Sequence, residues 1–154
     1  MKLVFVLIMM MYAISAEAAM PYNDKMIAAI AKTTNSSKEE VLASLKTGCD
    51  SGITIYMRQC SFLHSVAADI KLNAVYQQLL KKLQGTGGVE KLRPAQRAWL
   101  AFRNANCAFD ASSWEGGTGH SITVSTCETD MAEKRTRELG KYLRCDDNGC
   151  PGSN

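Results

Sequence analysis

The residues of this chain that could do chemistry are six cysteines, two histidines and a scatter of carboxylates. Cys49, Cys60, Cys107, Cys127, Cys145 and Cys150 could serve as nucleophiles, metal ligands or disulfides. Nucleophilic catalysis needs a free thiolate beside a base, whereas an even cysteine count in an oxidising compartment pairs off. The sequence therefore reads as three disulfides, and neighbourhood suggests Cys49 with Cys60, Cys107 with Cys127 and Cys145 with Cys150; sequence alone does not choose among the pairings. No metal is expected, because there is no Cys-x-x-Cys pair and His64 and His120 are read as outside any compact zinc spacing.

Hydrolytic chemistry finds no better footing. A glycan-cleaving pair needs two carboxyl groups set across one bond, and Asp110, Glu115, Glu128, Asp130 and Glu133 are scattered over helix and loop positions. A serine nucleophile needs a strained turn such as Gly-x-Ser-x-Gly, and none surrounds either histidine. His64 reads as a partly buried structural residue on a helix, His120 as a solvated loop residue beside glycines. No enzyme and no cofactor are expected. Arg97 and Arg103 flank Trp99 and Phe102, while Arg135 and Arg137 follow later; such guanidiniums could grip an anion with two parallel bonds or stack on Trp99. The plainer reading is that Arg103 and Arg135 pair with Asp or Glu across a helical bundle and set its register.

Two polar loops are candidates for binding. A bond between Cys145 and Cys150 would close a small, stiff loop carrying Asp146 and Asp147, and rigid loops lose less entropy on binding. The alternatives are a staple that ends the last helix, or a calcium loop, for which the oxygen ligand set is incomplete. The second loop, Ser112 to Ser121, carries Glu115 and His120 among glycines.

These residues must be positioned by one compact unit. A chain of 154 residues, 46% hydrophobic and 21% charged, fits a single domain and not a disordered one. Its net charge of +3 forms no basic stripe, which excludes the footprint of a nucleic-acid binder. Residues 1–18 open with Lys2, run apolar from Leu3 to Ile14 and close on Ala16-Glu17-Ala18, which predicts a secretory signal peptide. The apolar stretch from Leu3 to Ile14 is well short of the roughly 20 residues that a helix needs to span about 30 Å of hydrocarbon. No membrane anchor should therefore remain after cleavage, and residues 19–154 should form one domain in the periplasm or outside the cell.

The periodicity is helical throughout. Asn23 or Asp24 can cap a helix carrying Met26, Ile27, Ile30 and Ala31. Ser36 with Glu39, or Ser37 with Glu40, offers a capping box for a second helix that Gly48 stops. From about Thr54 to Leu83, Cys60, Leu63, Ala67, Ile70 and Ala74 form one stripe and Leu72, Tyr76, Leu79 and Leu83 another. Gly85 to Gly88 break it. Pro94 is expected in the first turn of the next helix, with Ala98, Trp99, Phe102, Ala105 and Phe109 facing inward. The last helix, roughly Ile122 to Leu143, buries Val124, Cys127 and Met131 beside Ala132, Thr136, Leu139 and Leu143. The expectation is an all-α fold: a small disulfide-stapled helical bundle with short N-terminal helices.

The run from Leu92 to Cys107, with Gln96, Arg97, Trp99, Phe102 and Arg103, resembles the signature of the lysozyme-inhibitor LprI-like family. Leu72-Asn73-Ala74-Val75-Tyr76, Gly116-Gly117-Thr118, Cys127 and Arg135-Thr136-Arg137-Glu138-Leu139 follow in the family's order, and Cys49 and Cys60 resemble its upstream cysteine pair. The resemblance covers about Cys49 to Leu143 and leaves the N-terminal helices and the 145–150 tail outside. It implies a structural role for the motif, with Trp99 and Phe102 in the core and Cys107 bonded to Cys127. The family is named for a mycobacterial lipoprotein that inhibits lysozyme, and this chain lacks that protein's lipidation cysteine. The implied function is inhibition of a lysozyme-type cell-wall hydrolase, a protein target. The expected contact residues are Glu115, His120, Asp146 and Asp147, all on expected loops; common animal lysozymes are basic and repel a +3 partner at long range, so only local acidic loops could compensate. A periplasmic immunity protein that neutralises a delivered toxin is the alternative.

Overall fold

The computed structural model describes residues 22–146 and 149–151; the expected signal peptide and Asp147 lie outside them. Local sequence explains where each helix begins. Asn23 accepts a hydrogen bond from the Met26 amide (3.0 Å) and starts α1, Asp24–Thr34. Ser37 and Glu40 close the capping box of α2, Lys38–Thr47, so the second of the two registers is the one used. A side chain at Gly48 would strike the Ser44 carbonyl oxygen and come within 2.9 Å of the Cys60 Cβ, so only glycine lets α2 end against α3, Thr54–Lys82. Then come α4, Gly88–Asp110, a 3-10 turn, Ser112–Trp114, and α5, His120–Leu143. No strand occurs among the described residues, and none of their helices is long and apolar enough to cross a membrane. The expected all-α, disulfide-stapled bundle is what forms.

α3 and α5 run parallel and make the most extensive contact, with α4 antiparallel against α5. Ile55 and Arg58 near the start of α3 share a groove with Ser121 and Ser125 near the start of α5, and Lys82 reaches the end of α5. α1 and α2 fold against the first half of α3, where Ile27, Ile30, Val41, Leu45, Cys60 and Leu63 form an apolar cluster. Full burial of an aliphatic chain such as Ile30 stabilises by about 1.5–3 kcal/mol. A second cluster joins Ala68, Leu72, Leu79 and Leu83 of α3 to Ala132 and Leu139 of α5. Parallel neighbours place two negative dipole ends together, and a cation answers them. Lys82 donates to the carbonyl oxygens of Leu143 (2.9 Å) and Cys145 (2.6 Å), satisfying acceptors that the end of α5 leaves without helical partners.

Several sequence expectations are corrected here. α4 begins at Gly88, whose amide donates to Thr86 Oγ1 (3.1 Å), so Pro94 lies in the second turn, not the first. Pro94 has no N–H to give the Glu90 carbonyl, and both residues are exposed, so water can satisfy that oxygen. Ala74 is exposed, since the buried stripe of α3 shifts from Ala67 to Ala68 and Leu72. Of the five residues expected to face inward on α4, Trp99 alone does; Ala98, Phe102, Ala105 and Phe109 are exposed, so Phe102 is not a core residue. The last helix starts at His120, which is therefore a half-buried helical residue and not part of the loop.

Candidate functional site

The inner face of α4 is polar. Arg103, 7% exposed, pairs with Asp69 of α3, and Gln96 accepts from Arg135 Nε of α5 at 3.1 Å. Arg135 also pairs with Glu138 of its own helix at 2.8 Å. Trp99 lies between the two guanidiniums, 5.5 Å from that of Arg103 and 5.7 Å from that of Arg135, within range of cation–π attraction. The expected pairing across the bundle thus holds for Arg103, while Arg135 takes its carboxylate from its own helix. Arg97 is exposed on the other side. These groups are consumed in joining three helices and leave no open anion grip.

Below this layer the Cys107–Cys127 disulfide ties the end of α4 to α5, as expected, and fixes the turn between them. Ala111 is fully buried beneath it. The Trp114 amide donates to the Ala111 carbonyl (2.9 Å) and the Gly117 amide to the Trp114 carbonyl (2.9 Å), with Gly116 at φ +75° making the reversal. The Trp114 indole rests on Gly119, where an added Cβ would come within 3.0 Å of the ring. Trp114 is nonetheless 56% exposed, and Glu115 beside it is exposed. Sequence reasoning named Glu115 and passed over Trp114; an aromatic residue entering a glycine-rich polar turn was the available signal, because large aromatics concentrate in binding surfaces.

The second expected binding loop lies elsewhere. Cys145 and Cys150 are bonded as expected and follow directly on α5. Asp146 is exposed and already meets Lys82 at 3.3 Å. α5 has 24 residues, so about 36 Å of helix separates this tail from Glu115 and His120. The structure brings Glu115 and His120 to one end of the bundle and places Asp146 at the other.

His64 stands one helical turn after Cys60, which corrects the spacing read from the sequence: the Cys49 and Cys60 sulfurs and a His64 ring nitrogen lie within 4.8 Å of one another. Those sulfurs are joined in the Cys49–Cys60 disulfide, and metal ligation needs thiolates. His64 Nδ1 instead meets the Tyr22 hydroxyl. Burial, and then the Lys71 ammonium, hold the His64 imidazole below its usual range against the opposing pull of Glu133. Burial, and then Glu133, push the Tyr22 hydroxyl up. The hydrogen bond between the Tyr22 hydroxyl and the His64 ring is a structural contact, in keeping with the partly buried helical role expected of His64.

A known family spans most of these elements. The family model for lysozyme inhibitor LprI matches residues 48–139, from the first disulfide to the buried Leu139. An uncharacterized protein of Rhizobium meliloti (strain 1021) is 31% identical over 94 residues, covering 53% of this chain and 68% of that protein. No solved structure matches. The matched span contains the polar α4 layer, two of the disulfides and the 114–119 turn, and by it the chain belongs to the lysozyme inhibitor LprI family.

Proposed function

We propose that this protein is a secreted or periplasmic inhibitor that binds a cell-wall hydrolase of the lysozyme type and blocks its cleft with the 114–119 turn. The observation that carries the reading is Trp114, a half-exposed indole on a turn held rigid by the Cys107–Cys127 disulfide and seated on Gly119. A cleft built for glycan strands offers flat apolar platforms and hydrogen-bond donors. The indole fits the first and the neighbouring Glu115 carboxylate the second. Preorganisation matters because a turn that is already ordered loses little entropy on docking. Glu115 also supplies local negative charge on a chain of net charge +3, which a basic hydrolase requires. Family membership supports the inhibitor class, and the leader-like residues 1–18 support the location.

The test is lysozyme activity on cell-wall substrate, with and without the oxidised protein, at low and moderate salt. Saturable inhibition is expected. Trp114→Ala should weaken it by tenfold or more, on the order of 1.4–3 kcal/mol for an aromatic anchor. Glu115→Gln should weaken it less and reduce its salt dependence. Asp146→Asn, at the far end of the bundle, should leave it unchanged. A folded protein that inhibits no such hydrolase refutes the proposal, and inhibition indifferent to Trp114 but lost with Asp146 moves the site to the tail.

A further inference from the structure

The outer face of α4 carries a pattern that the fold does not use. Ala95, Ala98, Phe102, Ala105 and Phe109 step by 3, 4, 3, 4, the spacing of a coiled-coil seam, and all five face solvent. Phe102 is 59% and Phe109 76% exposed. The flanking Ala101 and Ala108 are small and exposed as well, so a second helix could approach closely. The opposite side of α4 is already spent on Asp69, Arg135 and Cys127, which prevents the helix from turning its seam toward its own core.

We infer that this seam is a self-association surface on which α4 of a second copy of this chain packs antiparallel. The size order along the seam selects that occupant. With the two-fold axis midway between Phe102 and Ala105, Phe102 lies opposite Ala105 of the partner subunit, and Ala98 lies opposite Phe109 of the partner subunit. Every phenylalanine then meets an alanine, which is how large and small side chains interdigitate across a tight helix pair. A parallel pairing would set Phe against Phe and Ala against Ala, leaving clashes and holes. No charged side chain lies on the seam between Ala95 and Phe109, so nothing ionic has to be desolvated. Two exposed phenylalanines with the alanines offer roughly 500 Å² per copy, about 1,000 Å² in the pair, at the lower bound of a specific interface. The 114–119 turns would project from opposite ends of such a dimer, both accessible.

Sedimentation of the oxidised, secreted form of the protein across micromolar to millimolar concentration tests this. A reversible monomer–dimer equilibrium is expected. Phe109→Ala, which pairs small with small, and Ala98→Phe, which pairs large with large, should each shift it at least tenfold toward monomer. The double variant, Ala98→Phe with Phe109→Ala, exchanges the two sizes across the interface and should restore the dimer. Both positions are exposed, so unchanged helical circular dichroism and melting are expected for all three variants. A protein that stays monomeric throughout, or a double variant no better than the singles, overturns the inference.

Discussion

The N-terminal cluster and the α4 layer are both buried, and they are held by opposite kinds of chemistry. Around Ile30, Val41 and Leu63 the contacts are aliphatic and nondirectional, and the covalent aid is the Cys49–Cys60 bond. Between α4 and its neighbours the contacts are two guanidiniums, an amide, a carboxylate and an indole, each with a required geometry. Aliphatic burial gives stability in proportion to area and tolerates small shifts. A polar layer contributes less net energy and fixes helix register, because a displaced guanidinium loses its partner outright. The two regions therefore teach different lessons about which substitutions cost stability and which cost uniqueness of structure.

The comparison breaks most visibly at Ile30. Ile30→Ala removes a fully buried aliphatic chain and leaves a cavity, at an expected cost of about 2–5 kcal/mol. Denaturant unfolding should show that loss as an earlier midpoint with an unchanged slope. A cost below about 1 kcal/mol would mean that the cluster collapses around the void.

Arg103 gives the next largest effect. Asp69 is half exposed, so loss of its partner leaves a carboxylate that water can solvate, and the penalty stays well below that of a fully buried pair. Arg103→Ala should cost about 1–3 kcal/mol, combining the ion pair, the stacking on Trp99 and the lost packing of the stem. Arg103→Met keeps most of the packing and should recover part of that cost while weakening hydrolase inhibition, because the turn below α4 loses register. Equal stability and equal inhibition for Arg103→Met and the parent would show that the layer acts as ordinary filling.

The same contrast explains what the sequence revealed. The caps were legible to within one residue, Asn23 or Asp24 and Ser36 or Ser37, and the stop at Gly48 and the inward residues Ile27, Ile30 and Leu63 directly, because local hydrogen bonds and aliphatic periodicity fix them. The α4 assignment inverted because periodicity detects an apolar stripe without saying which side meets the core. Two polar residues of α4, Gln96 and Arg103, claimed the inner side through partners, Arg135 and Asp69, that lie 39 and 34 residues away in sequence. The disulfide pairs were suggested by neighbourhood, and the helix ends supplied the proximity. At the candidate site Glu115 was legible as an acid in a glycine-rich loop. Trp114 was not, because its prominence depends on the Gly119 seat and on the Cys107–Cys127 staple beneath it, neither of which local sequence displays.

The smallest effect is a pH dependence confined to the N-terminal region. His64 titrates below its ordinary value of 6.5 in the folded chain, mainly because it is partly buried. In the unfolded chain it regains that value, so between the lowered folded value and 6.5 the unfolded state binds a proton that the folded state does not. Its contribution to stability is therefore complete above 6.5 and declines as the pH falls through that interval. Protonation also leaves both ring nitrogens as donors, so the Tyr22 hydroxyl can then only accept from Nδ1. Carboxylates titrate in the same direction at lower pH, so the informative quantity is a difference between proteins. From about pH 7.5 to about pH 5.5 the parent should lose more unfolding free energy than His64→Gln, which keeps a polar side chain and does not titrate. Parallel curves would mean that the imidazole is solvated alike in both states. The Tyr22 contact would then be incidental, and the N-terminal region would rest on its aliphatic cluster alone.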